Sequence, residues 1–177
     1  MRIAVHVVLA FVLVVLVGAL WRLTPFEVAA PDVALLCALF LGASSRNPVA
    51  AATLGAIVIG YLADVVTGAP PGLGSLVLGA VCVLARMLSS RILFRGALPV
   101  AVLTFIAAGA AGLATWAIRA AGGLGVGPFA REIAAVLGSA VLTAFLSPLV
   151  FRVSRVVDAR FARTERERAA VREGYLL

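Results

Sequence analysis

Residues 3–20 read IAVHVVLAFVLVVLVGAL, eighteen positions with no acidic or permanently basic side chain. As a helix rising about 1.5 Å per residue, such a run covers most of a bilayer's hydrocarbon core. Further apolar runs follow it, set apart by short segments that collect glycines, prolines and charges. A soluble domain is about half apolar and a quarter charged. This chain of 177 residues is 63% hydrophobic and 13% charged, with mean hydropathy +1.15. These numbers describe a membrane protein with room for one compact domain. Arg2 gives the first run the look of a secretory signal, but the run is long for a signal core and more spans follow. It is therefore read as a first transmembrane helix, Ile3–Leu20.

The second apolar segment is short. Its clean core, Val33–Ala43, is about 16 Å of helix. Pro31 and Asp32 before it suit a helix start, because proline fits the first turn and an acid there meets the positive end of the helix dipole. The expectation is a short or tilted span starting near Pro31. A turn at SSRNP, 44–48, leads to a third helix over Val49–Val66. A fourth covers Gly72–Ser89, a fifth Ala97–Arg119, and a sixth starts near Phe129 and leaves the membrane near Arg152. The expected fold class is all-α: a polytopic membrane protein built as a six-helix transmembrane bundle over 1–153, with a charged tail over 154–177. Small residues recur four apart, as in Ala51/Gly55, Ala56/Gly60, Ser75/Gly79, Ala108/Gly112 and Ala134/Gly138. Such pairs let helix backbones approach closely where lipid removes the hydrophobic drive.

All 15 basic residues are arginine. Six spans put both termini on one side. Arg2, Arg46, Arg86, Arg91, Arg95 and the seven arginines from Arg152 onward fall there, against Arg22, Arg119 and Arg131 on the other, twelve to three. The positive-inside rule then makes both termini cytoplasmic and explains the formal charge of +7 without nucleic acid. Trp21, Tyr61 and Trp116 fall near the outer interface, where amphipathic rings prefer to sit.

On this topology, GYLADVVTGAPPGLGSL, residues 60–76, forms a helix end, an outer loop and a helix start. Asp64 lies about 22 Å along the third helix, close to the interface. A carboxylate near a helix C-terminus faces the negative end of the dipole, so it needs partners: backbone N–H groups of the loop, the Ser75 hydroxyl, or Arg22, Arg119 or Arg131. Gly68 suits the left-handed residue that ends a helix. Pro70 and Pro71 prevent continuation, and Gly72 and Gly74 allow the chain to turn back. Two readings stand. In one, Asp64 braces a structural corner. In the other, it belongs to a binding site, since an ionisable group at membrane depth marks function by default.

The same stretch resembles the signature of the MreD family of bacterial rod-shape-determining membrane proteins. Gly60, Asp64, Gly68, Pro70, Gly72, Ser75 and Leu76 fall on its pattern residue by residue, and the preceding segment from Ala30 is also similar. The likeness is closest over about residues 30–95. It implies a non-catalytic component of the peptidoglycan elongation machinery in the bacterial inner membrane. Such a protein pairs with the bitopic protein MreC and acts beside MreB, RodA and a class-B penicillin-binding protein. It also implies a bundle similar to the substrate-binding subunits of energy-coupling-factor vitamin transporters, with Asp64 and its loop contacting MreC or holding the bundle open. The alternative function is such a transporter subunit. Those subunits commonly carry an Ala-x-x-x-Ala contact in the first helix, which Ala4, Ala10 and Ala19 do not form.

The remaining polar residues fit no enzyme or cofactor pattern. Cys37 and Cys82 lie in apolar runs and make neither a disulfide framework nor a zinc site. His6 lacks a metal-sharing neighbour and reads as a packed histidine. There is no paired carboxylate and no Gly-x-Ser-x-Gly. Arg86 is expected to extend to the cytoplasmic interface. In the tail, Val153, Val157 and Phe161 share a stripe, so the sixth helix is expected to run on into the cytoplasm. Arg152, Arg155 and Arg160 can meet anionic headgroups of the lipid bilayer. A solvated helix and a site for cytoskeletal partners both remain open for the tail.

Overall fold

The computed structural model describes residues 2–23, 29–44, 48–89, 96–124 and 127–174, with side chains from Ile3 to Arg160 among them. The centre of the SSRNP turn, Arg91, Arg95 and the side chains of Arg2 and Phe161 lie outside these residues. The described chain folds as an all-helical bundle: α1 Arg2–Trp21, α2 Val33–Ala43, α3 Val49–Thr67, α4 Leu73–Ser89, α5 Ala97–Ala121 and α6 Phe129–Gly174. Four of them, α1, α3, α5 and α6, are long and apolar enough to cross a membrane.

The short helix is the centre of the fold. Every residue of α2 from Val33 to Gly42 is buried, and α2 touches each of the other five helices. A helix that is apolar all round belongs in a core rather than on an amphipathic surface. Its eleven residues are about half a bilayer core in length. α2 is thus a shielded inner helix, which explains how so short a segment avoids lipid.

Burial obliges both ends of α2 to find partners inside the protein. At its start the Asp32 Oδ1 accepts the Leu35 N–H at 2.9 Å. The Asp32 N–H donates to Thr143 Oγ1 at 2.8 Å, and Ser139 Oγ donates to the Ala30 carbonyl at 2.7 Å. These bonds dock the non-helical approach to α2 against α6, about 15–21 Å past the start of α6. Nearer the other end, Phe40 stacks on His6 of α1 at 5.5 Å and meets Phe151 of α6 edge-on at 5.6 Å. His6 is buried, as a packed histidine should be. Cys37 and Cys82 are buried and unbonded to each other.

The glycines of the small-residue pairs sit where helices meet. A Cβ on Gly55 would press on Ile3 of α1, one on Gly79 on Ile57 of α3, one on Gly112 on Val136 of α6, and one on Gly138 on Ala29. α6 carries Pro148 in its interior. Proline frees the carbonyl four residues earlier, and Ser147 Oγ donates to that Ala144 carbonyl at 2.8 Å. The helix therefore continues past the proline to Gly174. The stripe facing inward along its extension is Phe151, Ser154 and Asp158, while Val153 is exposed and Val157 half-buried.

Two alanine substitutions check this packing. A Cβ on Gly42 would collide with the Cys82 carbonyl and the Ala85 side chain, whereas one on Gly109 meets nothing within 4 Å. Gly42→Ala should destabilise the detergent-solubilised protein by about 1–3 kcal/mol, the usual cost of overpacking. Gly109→Ala should leave thermal unfolding unchanged or raise it, since alanine favours helix.

Candidate functional site

The hairpin between α3 and α4 is organised by Asp64. α3 ends at Gly68, whose φ of 72° is left-handed and whose N–H bonds back to the Asp64 carbonyl. The Ala69 N–H joins that same carbonyl at 3.0 Å. After Pro70 and Pro71 the chain turns at Gly72, φ 97°, and enters α4. There the Gly72 N–H reaches Asp64 Oδ2 at 2.9 Å, and the Gly74 N–H is shared between Oδ1 and Oδ2 at 3.0 Å each. The carboxylate at the end of α3 thus serves as the N-terminal cap of α4. The unfavourable dipole of its own helix is offset by the positive end of the next.

Close approach makes this possible. A Cβ on Gly60 would overlap the Gly74 and Ser75 backbone, and one on Gly74 would overlap the Asp64 carboxylate. Ser75 Oγ donates to the Ile57 carbonyl at 3.0 Å, fastening α4 to α3 one turn further on. Of the partners expected for Asp64, the loop N–H groups are the ones used. The Ser75 hydroxyl turns to Ile57, and among the described residues no arginine pairs with Asp64, which is itself buried. Around the buried Asp64 the outer face is apolar: Tyr61, Val65 and Leu76 are each more than half exposed. Leu54 and Val58 extend the same exposed stripe down α3.

Beside the corner, all six helices or their flanks enclose an open cavity of about 470 Å³. Trp21, Trp116, Arg119 and Glu132 line it near the ends of α1, α5 and α6, which puts them at its rim, and Asp32 lines it toward the floor, where its N–H bonds to Thr143 further along α6. Trp116 packs on Phe129 at 5.2 Å between ring centres. Glu132 accepts the Gly127 N–H at 3.2 Å, and Arg119 has a partner within the protein. The cavity brings Asp64 and Asp32 to one space, which their separation in sequence did not reveal. Nor were Ser139 and Thr143 singled out; their spacing of four within an apolar run was the available signal.

The tail arginines are not gathered with the corner. Arg152 and Arg155 line a separate groove with Ala97, Val100, Pro148 and Val156, and the Arg155 Nε–H donates to the Phe151 carbonyl at 3.3 Å. Arg160 is exposed and has a partner of its own. Arg86 is half-buried and also has a partner inside the protein. Among the described residues no three His, Cys, Asp or Glu side chains gather as a metal site. Comparison with family models, curated proteins and solved structures finds no match to this chain.

Asp64→Ala would leave the part-buried Gly72 and Gly74 N–H groups without their acceptor, at up to about 1–3 kcal/mol for each. Thermal unfolding should register that loss. Asp64→Asn, which keeps one carbonyl oxygen, should lie between the wild type and Asp64→Ala.

Proposed function

We propose that the chain is an MreD-like, non-catalytic scaffold of the bacterial cell-wall elongation complex, required for rod shape and bound to MreC in the inner membrane. The observation that carries this reading is the corner at residues 60–76. Six of its seven motif positions have a separate geometric task there: close approach at Gly60, capping at Asp64, a left-handed stop at Gly68, a break at Pro70, a turn at Gly72 and a cross-helix bond at Ser75. The seventh, Leu76, is exposed. A motif spent on one rigid hairpin, with an apolar stripe outside it, suits a surface that a partner's single transmembrane helix can pack against.

Arginine distribution supports a hairpin facing away from the cytosol with both termini inside. MreB, RodA and a class-B penicillin-binding protein are the further partners on this reading. Arg152, Arg155 and Arg160 then lie at the cytoplasmic surface, where anionic headgroups attract them.

Depletion in a rod-shaped host should round the cells, and the tagged protein should co-purify MreC. Tyr61→Asp with Val65→Asp should reduce that capture at least tenfold while the protein still folds. Normal rods with lost uptake of a small molecule would overturn the scaffold in favour of a transporter subunit. Thr67 is exposed beside the corner, so a Thr67→Cys label checks sidedness. Labelling only from the cytoplasmic face of vesicles would overturn the topology.

A further inference from the structure

The cavity beside the corner has the build of a ligand site, and nothing in the scaffold reading requires it. Its volume of about 470 Å³ falls in the range of about 300–1,000 Å³ usual for small-molecule pockets. Along α5 it runs from Arg119 to Ala108, about 17 Å, and along α6 from Glu132 to Ser139, about 10 Å. Between rim and floor the walls are apolar, formed by residues such as Val17, Val77, Ala111 and Val136.

The floor differs from the walls. Asp32 lies there, held in place by the Thr143 hydroxyl on its N–H and by the Leu35 N–H on its carboxylate. Among the described residues the partners of that carboxylate are main-chain N–H groups of the first turn of α2, and no cation pairs with it. The lining holds three carboxyl side chains, Asp32, Asp64 and Glu132, and one guanidinium, Arg119. The two tryptophans near the rim add apolar aromatic surface there. A carboxylate at the foot of an apolar shaft under an aromatic rim is complementary to a protonated amine carried on an apolar body.

We propose that this cavity binds a hydrophobic amine, its ammonium group paired with Asp32 and its apolar body lying along the shaft. This goes beyond the scaffold reading and does not depend on MreC. The chain's two tryptophans, Trp21 and Trp116, both line the cavity, so intrinsic fluorescence reports its occupancy. The probe is 4-bromophenethylamine, whose bromine quenches indole emission, titrated into the full chain in nanodiscs. The comparators are 2-(4-bromophenyl)ethanol and 3-(4-bromophenyl)propionate, matched in shape but neutral or anionic. Quenching by the amine should saturate, at concentrations at least tenfold below those the comparators need. Asp32→Asn keeps a good helix cap and should erase that preference. Ala111→Leu, which narrows the shaft, should abolish the saturable component. Equal quenching by all three compounds would overturn the proposal. So would unsaturable quenching, the sign of partition into lipid, or a preference that survives Asp32→Asn in folded protein. Should Ala111→Leu not fold, the wild-type comparison and Asp32→Asn decide the matter alone.

Discussion

An eleven-residue helix held away from both water and lipid is the constraint around which the molecule is arranged. Each end of such a helix leaves backbone groups that cost several kcal/mol if stranded in an apolar medium. The start of α2 is provided for by Asp32, with Thr143 and Ser139 of α6 fixing the chain that leads into it. Toward its end, Phe40 is gripped between His6 and Phe151. Both arrangements join α2 to α6, and the second also brings in α1. The outer helices need long apolar faces; the inner one needs specific partners.

The α3–α4 hairpin solves a related problem by a different route. Its chain reverses within a few residues, leaving the first N–H groups of α4 without intrahelical partners. A side chain from the previous helix supplies the acceptor, which works only because glycines at 60 and 74 let the two backbones nearly touch. Substituting either glycine would move the cap out of reach. Corner, close packing and carboxylate therefore act as one unit, and this cooperation accounts for the concentration of unusual residues in one stretch.

Much of this was readable in the chain. The long helices announce themselves as apolar runs, and α3 ends where Gly68 stands. The need of Asp64 for partners followed from its depth and from the dipole of α3. Which partners it takes did not follow, because the choice depends on how close α4 comes. The interior position of α2 was hidden for a different reason. A segment apolar on every side carries no periodicity to show which face is covered, so a shielded helix and a tilted span look alike. The Asp32–Thr143 bond joins residues 111 positions apart, and local pattern does not encode such a pairing. In the tail, spacing put Val153 and Val157 on one stripe, yet the bundle buries Ser154 and Asp158. A hydrophobic stripe beside a membrane can face lipid as readily as protein.

α6 is 46 residues long, about 69 Å as a helix, more than twice the thickness of a hydrocarbon core. The same rod that carries the hooks for α2 thus projects far beyond the bundle. Pro148 lies between Ser139 and Thr143 and the projecting part of the rod, and proline is where a helix bends most readily. Bending there would let the projecting arm swing while Ser139 and Thr143 keep their hold on the approach to α2.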